Sequence, residues 1–194
     1  KLRKDLLEVV LVCDRYSAYK SLALDWDELI LAFCWAHVRR DFLKAARSWP
    51  ELERWMFTWV NDIRELYRLN AARLEQWDAG LRLDQQSPAF DERHQDLETK
   101  LREMQARCEA HLQESDLHLA KHKVLSSLHH HWDGLTVFVE RPEVEMDNNA
   151  AERILRTPVV GRKNYYGSGR VWSAHFAAMM FSVLQTILLW GLNP

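Results

Sequence analysis

The 194-residue sequence has no excess of basic charge, with 26 Lys and Arg against 28 Asp and Glu. A net charge of −2 argues against a small, uniformly basic DNA-binding module, while leaving room for a local basic patch. Cysteine is scarce too. Cys13, Cys34 and Cys108 are odd in number and widely spaced, which fits reduced cytoplasmic thiols and not a disulfide framework. No Gly-x-Ser-x-Gly elbow, phosphate-binding glycine loop or dinucleotide fingerprint occurs, so those enzyme classes are set aside. Lys1 to Asp5 leads into a strand-like run without a signal cleavage site. There is no internal repeat and no low-complexity segment. The one long apolar stretch is Val171 to Trp190, where His175, Ser182 and Thr186 recur at helical spacing and Gln185 lies close by. A buried amphipathic helix is expected there, and no membrane span.

What the chain does have is apolar content (47%) and nine Trp, the composition of a globular core or of surfaces that stack on bases. Leu6 to Cys13 and Glu28 to Phe33 read as buried strands of a parallel or mixed sheet. Helices are expected over Arg15 to Leu24 and Cys34 to Trp49, the second burying Trp35, Val38, Phe42 and Ala45 or Ala46, with Pro50 closing it. Glu51 to His131 is almost wholly helical in pattern, with Trp55, Trp59, Ile63, Leu66 and Leu69 on one helix. Leu97, Leu101, Met104, Cys108 and Leu112 follow on another, beyond a break at Ser87-Pro88, and a third helix starts near Asp116. Asp133-Gly134 and Arg141-Pro142 read as turns. Asp147 is expected to cap a helix that Pro158 terminates, and a basic glycine-punctuated loop should run from Val159 to Arg170 before the last helix. The reading is a predominantly helical α/β chain: core over 1–49, helical insertion over 50–133, and core again over 134–194.

Three places carry chemistry. Asp14 follows a buried strand, where α/β sheets present ligands, although a helix N-cap is the alternative for such a residue. Glu152 lies five residues after Asp147, so the two do not closely share a helix face, and it is four residues before Arg156, the spacing of an ordinary helix salt bridge. From Arg153 to Arg170 there are five cations (Arg153, Arg156, Arg162, Lys163, Arg170) and no acid, interleaved with Asn164, Tyr165 and Tyr166. That composition suits phosphate contacts and base stacking. Cys34 and His37 have half a zinc spacing and no matching second half, so they are read as structural.

Three segments in order, VCDRYSAY from Val12, CWAHVRRDF from Cys34 and MDNNAAER from Met146 running into GRKNYYGSG, resemble the transposases of the insertion sequence sixty-six family. The likeness continues through Trp190 to Pro194. It implies a partial ribonuclease H-like fold with an all-helical insertion, and an Asp-Asp-Glu triad holding two Mg²⁺ ions, Mn²⁺ substituting. In it Asp14 matches the second aspartate and Glu152 the glutamate. Where relatives have glycine after that aspartate, this chain has Arg15. The first aspartate is expected upstream of Lys1, so the fragment alone is expected to be inactive. DNA-binding residues are expected to be Arg39, Arg40, Arg153, Arg156, Arg162, Lys163, Asn164 and Arg170. The implied partners are double-stranded DNA at the transposon ends and target, and further copies of the chain on DNA, in a nucleoid-associated, cytoplasmic setting without membrane. The alternative left open is a catalytically dead remnant that binds DNA or protein.

Overall fold

The computed structural model describes residues 8–164 and 168–193. Their elements run β1 (Val9–Cys13), α1 (Ser17–Leu24), β2 (Leu29–Phe33), α2 (Trp35–Ser48), α3 (Glu53–Leu74), α4 (Pro88–Leu112), α5 (Leu119–His130), α6 (Trp132–Glu140), α7 (Asn149–Asn164) and α8 (Val171–Leu189). Helix predominates, and the sheet among the described residues is one parallel pair, with Val9 opposite Leu29 and Cys13 opposite Phe33. Two compact units divide between Asp147 and Asn148.

The first unit is built on runs that leave few options. VVLVC and LILAF are β-branched or apolar at nearly every position, so each strand seeks cover on both faces. Helix α2 buries Trp35, Val38, Phe42 and Ala46, the stripe expected from its spacing. Helix α3 turns Met56, Trp59, Ile63 and Leu66 into the same cluster, where Phe42 and Trp59 stack with centroids 5.5 Å apart. Ser87 caps α4 by accepting from the Phe90 N–H at 3.2 Å, with Pro88 at the first helical position. Leu97, Leu101, Met104 and Cys108 of α4 complete that core together with Leu125 and Leu128 of α5. Residues of the expected helical insertion and of the strands thus share one core.

Arg73 is wholly buried at the end of α3. Its guanidinium donates to the carbonyls of Phe138 (2.8 Å) and Val139 (2.9 Å) and to Asn70 Oδ1 (2.8 Å). The C-terminal carbonyls of α6, which no helical N–H reaches, are satisfied in this way. Burial pushes its pKa down to about 10, still far above neutrality.

Three sequence expectations are corrected. Asp133-Gly134 is no turn but lies inside α6. Gly134 is there for closeness: a Cβ on it would stand 2.4 Å from the Phe33 ring. Pro158 does not end α7, which continues to Asn164, so the expected loop from Val159 is helix over most of its length. The proline lines a groove of about 470 Å³ between α7 and α8 together with Ile154, Leu155 and Val159. Finally, α8 is not a buried helix, since none of its residues is buried. Among the described residues of its unit α7 is the one other helix, and one neighbour covers at most one side of so apolar a helix. By length and composition α8 could cross a membrane. It closes with Gly191 at φ 72°, whose N–H donates to Leu188 O (3.0 Å) while Leu192 donates to Ile187 O (3.1 Å), a Schellman ending.

Candidate active site

At the C-terminal end of the parallel pair the chain gathers its polar side chains. Asp14 leaves β1 half-buried, and its Oδ1 accepts the Tyr16 N–H at 3.0 Å. That turn fixes the carboxylate before α1 begins at Ser17, whose N-cap position is Tyr16 and not Asp14. On the neighbouring strand Cys34 donates its N–H to Cys13 O (3.0 Å), and Trp35 donates its own to Met146 O (2.9 Å). The segment before Asn148 is thereby fastened to the same sheet end as Asp14. Asp147 there accepts the Tyr67 hydroxyl at Oδ2, 3.0 Å away. Burial, and then the Asp147 charge, push the Tyr67 pKa up, so the phenol stays a donor.

The thiols at this end are quiet. Burial, then the Asp14 charge, pushes Cys13 up to about 11, and burial does the same for Cys108. Neither is a thiolate at neutral pH. Cys34 is buried at the N-cap position of α2.

Arg15, the residue that departs from the family pattern, has an evident role. It is ion-paired with Asp41 of α2, and its Nη1 donates to Ser127 Oγ of α5 at 3.0 Å. It straps the loop after Asp14 onto two helices. Beside it, Lys20 Nζ stands 2.6 Å from His131 Nε2, while His131 Nδ1 stands 2.6 Å from Ser127 O. One tautomer satisfies both: Nδ1–H donates to the carbonyl and Nε2 accepts from the ammonium. Burial first, and then the Lys20 and Arg15 charges, lower the His131 pKa.

Arg39 and Arg40 are exposed on α2. In the second unit Glu152 sits in the first turn of α7, partly buried, its N–H donating to Asn148 O at 2.9 Å. Arg153, Arg156, Arg162, Lys163 and Asn164 are exposed on the same helix, and exposed Arg170 occupies the N-cap position of α8. At about 100° per residue, Arg153, Arg156 and Lys163 share one broad face bordered by Glu152. Arg162 turns instead to the α7–α8 groove. Tyr165 and Tyr166 lie outside the described residues.

Asp14 belongs to the first unit and Glu152 to the second. Among the described residues no three His, Cys, Asp or Glu side chains gather as a metal cage. The donor type nevertheless suits a hard divalent cation, because both are carboxylates and the Cys13 thiol beside Asp14 is protonated. Sequence reasoning missed Tyr67, Arg15 and the Lys20–His131 pair. Arg15 alone left a signal, as a charge where the family pattern has glycine.

A family model described as Transposase IS66 family matches residues 2–176. Two curated relatives from Sinorhizobium fredii (strain NGR234), named Uncharacterized protein y4hP and Uncharacterized protein y4jD, are each 28% identical to this chain. Each match covers 95% of this chain, and 34% and 35% of the respective relative, so the chain spans about a third of their length. No solved structure matches.

Proposed function

The chain belongs to the IS66 family of transposases, and from that premise we propose that it is part of a ribonuclease H-like catalytic core that cleaves and joins DNA at insertion-sequence ends. The observation that carries the reading is Asp14: a carboxylate held by a turn just past the end of a half-buried parallel strand. The Tyr16 N–H takes one of its oxygens, and the other would bind a cation. Glu152 supplies a second carboxylate from the first turn of α7, where the helix dipole favours a negative charge.

Asp14 and Glu152 would help to hold Mg²⁺, which would supply an activated water or 3′-hydroxyl and a stabilised leaving oxygen. The protein's own task is to hold carboxylates and phosphates in register. Arg153, Arg156 and Lys163, on the face that Glu152 borders, fit phosphate contacts flanking the scissile bond, and Arg39 and Arg40 add cations from α2.

The test uses the full reading frame that contains this chain, with a duplex carrying the element's end. Asp14→Asn and Glu152→Gln should each abolish Mg²⁺-dependent cleavage and leave duplex affinity within about twofold. Arg153→Ala with Lys163→Ala should weaken binding and reduce the salt slope by about one unit per lost phosphate contact. Cleavage that survives Glu152→Gln would remove that residue from the site. The second reading is a non-catalytic module that binds DNA or protein. Duplex binding with no cleavage by any form would select it.

A further inference from the structure

Helices α2 and α5 enclose an open groove of about 540 Å³. Half-buried Ala45, Ala120 and Val124 give it an apolar lining, and Lys44 and Lys123 line it from opposite helices. Both lysines are exposed, and among the described residues neither has a carboxylate partner. The acid that lines the groove, Asp41, is already engaged by Arg15. The groove is therefore cationic at its rim and neutral within. Trp49 also lines it, 43% exposed, with the His118 ring against it at 4.8 Å. Asp41 and Ser127, the two residues that Arg15 bridges, line it too. The groove thus reaches the side chain of the residue next to Asp14.

We propose that this groove is a subsite for an unpaired strand of nucleic acid, its phosphates between Lys44 and Lys123 and a base against Trp49. The proposal rests on the DNA-processing reading and adds to it a place and a strandedness. The volume is that of a small-molecule pocket, roomy enough for a nucleotide or two and too small for a duplex. Lysine rims with an aromatic platform are the composition that single-strand sites share, because every base has a face to stack. An aliphatic peptide would leave both ammonium groups without a counter-charge, whereas a phosphodiester supplies one at each step. Continuity with Arg15 would set a strand leaving the groove beside the Asp14 carboxylate.

Fluorescence anisotropy with labelled oligothymidylate and with a labelled blunt duplex tests this on the chain itself. Lys44→Ala with Lys123→Ala should weaken oligothymidylate binding about tenfold and flatten its salt slope by about 1.4, at about 0.7 per single-strand contact. Duplex affinity should change less than about twofold. Trp49→Ala should weaken oligothymidylate binding about fivefold or more, with Trp49→Phe restoring most of it, as stacking requires. These residues are exposed, and an unchanged melting temperature confirms that each variant is folded. Equal loss on both probes, or no loss on either, overturns the subsite. So does self-association that Trp49→Ala abolishes without affecting the oligonucleotide. Wild-type chain that binds duplex but no oligothymidylate overturns the groove and spares the proposed function. Failure to bind either overturns both.

Discussion

The two units use apolar side chains in opposite ways. Up to Asp147, residues such as Trp35, Phe42, Met56, Ile63 and Leu66 are wholly buried in one cluster. From Asn148 onward no residue of either helix is buried, and Trp172, Phe176 and Trp190 are each more than half exposed. Composition does not explain this, since α8 is the more apolar kind of helix. Burial requires neighbours on several sides, which α2 and α3 have and a two-helix hairpin does not.

The largest expected effect would break that comparison if it failed. Phe42→Ala removes a fully buried ring stacked on Trp59 and should cost about 3–5 kcal/mol. Phe176→Ala, at a position 55% exposed, should cost less than about 0.5 kcal/mol. Urea denaturation of the two variants side by side measures the difference, and comparable losses would mean that the hairpin holds a core of its own.

Gly134→Ala sharpens the account of the first unit. Alanine is the better helix former by about 1 kcal/mol. Here its Cβ would meet the Phe33 ring at 2.4 Å and Leu31 O at 3.0 Å, so overpacking of about 1–3 kcal/mol should outweigh that gain and leave a net loss of up to about 2 kcal/mol. A raised melting temperature would show that the α6–β2 contact yields easily.

The smallest effect is a pH dependence located in the first unit. His131 has its pKa lowered in the folded chain, so the unfolded chain binds the proton more readily. Its stabilising contribution is present above the unfolded value of about 6.5 and is lost as pH falls below it. Unfolding free energies at pH 7.5 and 5.5 should therefore fall more for wild type than for His131→Gln. An identical fall would show that protonation of His131 does not disturb the Lys20 contact.

Much of the first unit was legible in sequence because its periodicities are undisturbed. Both strands, the buried stripe of α2 and the break at Ser87-Pro88 follow directly from apolar spacing and proline chemistry. Legibility failed where a partner distant in sequence decides. Gly134 reads as a turn until the Phe33 ring is beside it. Of the candidate site, the position of Asp14 at a strand end was visible. Tyr67 was not, since a tyrosine on a helix carries no mark of the carboxylate it will meet 80 residues later.

The return of the chain to α2 carries a consequence for how freely the region between can change. Trp35 donates its indole N–H to Leu135 O at 2.7 Å and its backbone N–H to Met146 O, closing a circuit of about a hundred residues. Closure entropy grows only with the logarithm of circuit length, so doubling the excursion would add about 0.6 kcal/mol. The loop that joins α3 to α4 can therefore be lengthened at little entropic penalty, provided that Arg73 and Phe90 at the helix ends keep their buried places. Length can change in that loop while the sheet end that bears Asp14 stays closed.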